Sequence, residues 1–332
     1  MIRFFANANY DFIGVRRYAY GVTATLFALS VVALIVWGFN YSIEFTGGTL
    51  VRVQTAETVD VAALRTAIVD QGIRGPEITT IGSAGGYLIK ARTAKAGADA
   101  DNTQVTAAAV GVALDQVIGA GKYTPQGSGA VGPKVASELQ GKALSAILLS
   151  FLAVLAYLAV RFEWRFGLAA VAATAHDIIL TIGFIALMRL EVSLVVVGAV
   201  LSMVGYSLND TIIIFDRIRE NLHKYKRDHF IDIINRSINE TLPRSVLTHG
   251  TTLATLTSLA IFGGEVIRPF ALVMFFGVFT GTFSSIYIAG PVLIWIEQKW
   301  PGAEARGVKT GAKVANQPSA LSRPPAAVKA DV

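Results

Sequence analysis

The residues of this chain that could do chemistry in an unusual setting are two acids, a histidine and an arginine set within or beside long apolar stretches. Asp210 stands in the run from Gly205 to Asn221, which begins apolar and ends in charge at Asp216 to Glu220. A carboxylate inside hydrocarbon costs at least about 2.5–3.5 kcal/mol, so such a group faces a bundle interior or a water path rather than lipid. His176 and Asp177 interrupt the third apolar stretch, and Arg244 opens the fifth just after Pro243. Asn209 lies beside the first acid, and Thr248 and Thr252 follow the arginine at helical spacing. Residues of these types also make static hydrogen bonds between helices, but His176, Asp177, Asp210 and Arg244 together tip the reading towards ion or proton handling.

Depth favours one pairing. Asp210 lies six residues before Asp216, about 9 Å into the apolar segment at 1.5 Å per residue. Arg244 enters from the same side, and the two are predicted to meet. A guanidinium would hold the carboxyl ionised while desolvation favours its neutral form, and opposed influences of this kind suit a group that binds and releases a proton.

The elements that must position these groups are membrane helices. Of the 332 residues 53% are hydrophobic, and the mean hydropathy is +0.53, which places the chain in the membrane class. About 20 apolar residues are needed to cross about 30 Å of hydrocarbon. Six stretches qualify: residues 18–39, 143–160, 166–188, 192–215, 245–262 and 270–296. The net charge of +6 matters less than its placement. Arg3, Arg16 and Arg17 precede the first stretch, and residues 216–243 form a basic loop with Arg217, Arg219, Lys224, Lys226, Arg227 and Arg236. By the positive-inside rule both termini are therefore expected in the cytoplasm, residues 1–17 at one end and a disordered tail over 299–332 at the other. The first stretch is too long for a cleaved leader and reads as an uncleaved anchor.

Residues 40–140 read as a soluble insert on the outer side. Thr49 to Gln54 alternates as a strand does, and Asp60 can cap a helix carrying Val61, Leu64 and Ile68. Strands over 77–81 and 87–91, a loose loop over 94–101, a helix over 102–118 and a strand from Tyr123 complete a strand-helix-strand-strand-helix-strand order. That order is ferredoxin-like. The fold class is thus an α-helical membrane protein of six transmembrane helices with a small α+β periplasmic domain. There is no cysteine, hence no disulfide or thiolate chemistry. Gly127, Gly129 and Gly132 fit a dinucleotide fingerprint only nominally, because Pro133 follows and the segment is outside. His223 and His229 lack metal-spaced partners and read as solvated. Neither enzyme chemistry nor nucleic-acid binding is expected.

The chain resembles the SecF side of the SecD/SecF family of protein-translocase subunits, within the resistance-nodulation-division superfamily. The resemblance rests on Ile43 to Gly48, Val131 to Pro133, Ala175 to Ile178, Gly205 to Asn221, and Asn235 to Ser245 continuing through Thr251 to Leu253, and covers residues 15–298. Glu44 replaces the family's usual Asp, Ser245 a usual Thr, and His249 a small hydroxyl residue. The resemblance implies a six-span subunit of the bacterial inner membrane that pairs with SecD beside the SecYEG channel. With SecD it would use the proton-motive force to complete export of unfolded polypeptides, with protons as the coupling ion and no cofactor. Carried over by residue, the proton-coupling positions fall on Asp210 and Arg244, with His176, Asp177, Asn209, Thr248 and Thr252 in support. A proton-driven exporter of small molecules or lipids from the same superfamily is the alternative.

Overall fold

The computed structural model describes residues 5, 8–56, 58–81, 85–93 and 103–301. The predicted loose loop over 94–101 and nearly all of the predicted disordered tail lie outside them. In chain order the elements are α1 (Arg16–Trp37), β1 (Asn40–Tyr41), α2 (Ile43–Thr46), β2 (Gly48–Thr55), α3 (Val61–Asp70), β3 (Ile73–Thr80), β4 (Gly86–Thr93), α4 (Thr103–Val117), β5 (Tyr123–Val131), α5 (Pro133–Arg161), α6 (Trp164–Leu187), β6 (Glu191–Val192), α7 (Leu194–Lys224), α8 (Phe230–Phe262), α9 (Gly264–Ser284), a π turn (Ser285–Ala289) and α10 (Gly290–Lys299).

The insert is ferredoxin-like, as the element order implied. Its sheet runs β3-β4-β2-β5, antiparallel throughout, with α3 and α4 packed together over it. Alternation decides the faces: Val51 and Val53 of β2 are buried with Ile89 of β4, Leu64 and Ile68 of α3 and Leu114 of α4, while Arg52 and Gln54 face away. Asp60 caps α3 by accepting from the Ala62 N–H at 2.9 Å. The nominal glycine fingerprint is edge strand β5, which passes through Gly132 straight into α5.

Among the described residues, six helical segments are long and apolar enough to cross a membrane: α1, α5, α6, α7, α8, and the run from Val266 to Lys299 that joins α9 to α10. They form a bundle with α6, α7 and α9 at its centre, whereas α1 and α5 are largely exposed, with apolar side chains such as Ile35, Leu149 and Val160 on their surface. Close packing depends on glycine. A Cβ at Gly277 would meet Met203 Cγ at 2.1 Å, and one at Gly281 would meet Ser207 Cβ at 2.9 Å, so α9 lies flush against α7.

The basic loop expected over 216–243 is a correction. All but residues 225–229 of it is helix, because α7 runs to Lys224 and α8 begins at Phe230. The charges had masked an apolar period: Phe230, Ile233, Ile234 and Ile238 bury one face of α8 with Ile218 and Leu222 of α7, leaving the basic groups on the rim. His229 is only half-buried at the α8 N-cap, rather than solvated, and His223 is exposed. The N-terminal segment is strapped to this extension. Asn239 donates to the Tyr10 carbonyl and accepts its N–H, both at 2.9 Å, and one turn earlier Asn235 accepts the Ile13 N–H at 3.0 Å. Ile13 itself is fully buried.

Insert and bundle are joined at one end. β1 pairs with β6 in the α6–α7 link, Lys90 of β4 bridges to Glu191 at 2.6 Å, and Glu44 accepts the Leu194 N–H at 2.6 Å at the start of α7. A carboxylate at a helix N-terminus also favours the helix dipole.

Candidate functional site

Two carboxylates lie buried in the centre of the bundle, each held by serines. Asp210 on α7 is 3% exposed. Its Oδ1 accepts the hydroxyl of Ser245 on α8 at 2.6 Å, and its Oδ2 that of Ser285 in the π turn at 2.7 Å. Asp177 on α6 is fully buried. Its Oδ2 accepts Ser207 of α7 at 2.5 Å and Ser284 of α9 at 2.6 Å, and its Oδ1 lies 2.9 Å from His176 Nδ1. Ser207 is three residues before Asp210, so the two acids sit about one helical turn, roughly 5 Å, apart in depth.

The π turn explains how adjacent serines reach different acids. Pro291 has no N–H to give the Tyr287 carbonyl, and its ring crowds that carbonyl, so the helix widens ahead of it. Ser284 and Ser285 fall where the widening begins, and they diverge to Asp177 and Asp210. Each hydroxyl has one hydrogen and two acceptors within reach. Ser285 Oγ is also 2.9 Å from the Thr282 carbonyl. It can donate to an ionised Asp210, or turn its hydrogen to that carbonyl and accept from a protonated one. The site satisfies both protonation states without moving a backbone atom.

The predicted pairing of Asp210 with Arg244 is not formed. Arg244 is exposed and makes no ion pair among the described residues, while its neighbour Ser245 turns inward onto the acid. One residue is 100° of helix, so depth was read correctly and azimuth was not. Asn209 and Thr248 are likewise exposed, and Thr252 is half-buried, where it accepts the Tyr206 hydroxyl at 2.9 Å. Together with Thr251 and Thr255, these residues make a polar strip along the outer side of α7 and α8. His249 turns the other way: it is 6% exposed beside the Tyr206 ring, with its Nδ1 lacking a partner. His176 Nε2 and Thr181 Oγ1 are also buried without partners.

Residues 116–299, which contain all of these groups, match the family described as protein export membrane protein SecD/SecF, C-terminal, and residues 32–59 match the SecD/SecF GG motif. The chain belongs to the SecD/SecF family. A protein translocase subunit SecF from Gemmatimonas aurantiaca is 50% identical over 323 residues, covering 94% of this chain and 95% of the relative. The subunit of the same name from Magnetococcus marinus is 39% identical over 303 residues, covering 91% and 96%. The crystal structure of SecDF, a translocon-associated membrane protein from Thermus thermophilus, superposes with a TM-score of 0.77 at 35% identity. It covers 89% of this chain, which spans only 40% of that longer one. As a SecD/SecF protein the chain is a multi-pass membrane component of protein export, not an enzyme. The family's GG motif is Gly47 and Gly48, with φ of +71° and +132°: they end α2 and turn the chain into β2, a path that L side chains resist.

Sequence reasoning had named Asp210, Asp177 and His176, and they meet in the interior. It had not named Ser207, Ser245, Ser284 or Ser285 as site residues. The spacing of Ser207 to Asp210, three residues on one helix, was the available signal. Ser285 gave none, because a regular α9 would point it elsewhere.

Proposed function

We propose that this chain is the SecF-type, proton-coupled subunit of the bacterial Sec export machinery. It pairs with SecD beside the SecYEG channel in the inner membrane, both termini in the cytoplasm, and promotes export of unfolded polypeptides. Protons are the coupling ion and no cofactor takes part. The observation that carries the coupling is Asp210, sealed between α7, α8 and the π turn among hydroxyls that can serve it either ionised or protonated. Protonation replaces the charge-assisted bonds to Ser245 and Ser285 by weaker neutral ones, which loosens the hold of α8 and the π turn on α7. The end of α7 that meets the insert, with Glu44 and the Lys90–Glu191 bridge, carries such a shift outward.

The polar strip supports the partner. An exposed Arg at membrane depth is costly unless an acid or water faces it. Arg244, Asn209, Thr248, Thr251 and Thr255 therefore form the face onto which SecD packs, with Arg244 opposite an acceptor that SecD supplies.

The energetics set the number of protons. One charge moved through 100 mV supplies about 2.3 kcal/mol. Driving a two-state element from 1:99 to 99:1 takes about 5.5 kcal/mol. A single proton at 100 mV falls short, so a larger gradient or a second proton is required.

The test is Asp210→Asn in inverted vesicles carrying the complete machinery. The expected outcome is export no faster with a proton gradient than without one, at normal protein levels; gradient-stimulated export at the wild-type rate refutes the reading. The alternative, export of lipid or small molecules, draws on an apolar cavity of about 480 Å³ lined by Phe45, Leu144, Ile182 and Val200. Transport of a dye or labelled lipid by the purified protein in vesicles would favour it.

A further inference from the structure

The second buried acid has the same construction as the first, and the shortfall of a single proton gives it work to do. Ser284 Oγ, which donates to Asp177, also lies 3.1 Å from the Gly281 carbonyl, just as Ser285 Oγ has the Thr282 carbonyl as its second acceptor. Each acid thus has one serine with a single acceptor, Ser207 or Ser245, and one able to swing, Ser284 or Ser285. Asp177 has in addition His176, whose outer ring nitrogen is buried without a partner.

We infer that Asp177 is a second proton-carrying carboxyl of this bundle, read by the same π turn as Asp210. This rests on the proton-coupled reading above. When Asp177 gains its proton, the carboxyl O–H donates to Ser284 Oγ, and the serine hydrogen turns to the Gly281 carbonyl. No other bond is made or lost. With both acids neutral, Ser284 and Ser285 are each held by a weaker neutral hydrogen bond, whereas protonation of one acid leaves the charge-assisted bond of the other still holding the turn against α6 or α7. Two protons are then needed for each release.

Few other ionisable groups face the site. From α7 comes Asp210, and beside Asp210 stands the buried His249 of α8. The π turn brings Tyr287, whose ring lies against Phe12 and Phe283. α1 and α5 carry no charged residue between Arg17 and the end of α1, or between Lys142 and Arg161. α10 brings Glu297, committed to Arg165 at 3.0 Å near the start of α6.

The experiment is infrared difference spectroscopy on the chain paired with SecD in lipid vesicles, with isotope-labelled aspartate, through an acid titration. Two protonated-carboxyl bands are expected. Asp210→Asn removes one and Asp177→Asn the other, and Ser284→Ala moves the midpoint of the second band upward by about one pH unit, because the carboxylate loses a donor. In export, Asp177→Asn should roughly halve the steepness with which rate rises with the gradient. A static cross-link would move neither the band nor the steepness. If Asp177→Asn does not assemble, the Ser284→Ala midpoint decides. One band, lost in Asp210→Asn and unchanged in Asp177→Asn and Ser284→Ala, overturns this inference and leaves the coupling role of Asp210 intact. No band lost in Asp210→Asn overturns the underlying reading instead.

Discussion

Asn209 and Asp210 are neighbours on α7, and Arg244 and Ser245 are neighbours on α8, yet each pair is split between two environments. Asp210 and Ser245 face inward and hydrogen-bond each other. Asn209 and Arg244 face outward on a polar strip that none of the described residues covers. On the inner face every acid oxygen is matched to a donor or a histidine; the outer face holds a cation and hydroxyls at membrane depth with no acid partner among the described residues. The difference separates two jobs that residue types alone had merged: proton binding belongs to the interior, and partner binding to the strip.

Substitutions on the two faces should therefore fail differently. The largest effect on the inner face, beyond the acids themselves, is expected from Gly281→Val. Its branched side chain would strike Ser207 and drive α9 from α7, separating Ser284 from Asp177. Overpacking of this kind costs about 1–3 kcal/mol, and the purified protein should lose both thermal stability and gradient-driven export. Normal melting with normal export would show that the two helices have slack.

Arg244→Leu is the matching change on the outer face. Removing an exposed charge should leave the unfolding free energy of the isolated chain unchanged within about 0.5 kcal/mol, while co-purification with SecD falls several-fold. Equal loss of stability in the isolated chain would mean that Arg244 has an intramolecular partner after all, and the division between faces would collapse.

Asn239→Ala sharpens the contrast from outside the site. It removes two hydrogen bonds from the strap at Tyr10, a loss of about 1–2 kcal/mol. Hydrogen exchange should rise in residues 8–15 with the acid titration unaltered. A shifted titration would connect the strap to the interior. The smallest effect is expected from Lys90→Met. That bridge to Glu191 is partly exposed and is worth about 1 kcal/mol or less. It should reduce export modestly without changing proton binding, which would place it after the coupling step.

The hydrophobic lengths, the alternation in β2 and the Asp60 cap made the six spans and the ferredoxin-like insert legible, because each is a local consequence of side-chain periodicity. The acids were legible for the same reason: an ionisable residue in an apolar run stands out wherever it points. The helical identity of residues 216–224 and 230–243 was hidden, since charge along one face drew attention from the apolar period on the other.

What the sequence determined by itself is therefore the inventory: six membrane helices, one inserted α+β domain, and two acids at lipid depth. What tertiary structure decided is which neighbour each acid meets. That choice turns on the 100° between Arg244 and Ser245 and on the widening of the helix ahead of Pro291, which sends Ser284 and Ser285 to different carboxylates. A helical period fixes spacing along one helix; it cannot fix how two helices are rotated against each other, and that rotation is set by glycine contacts far along the chain.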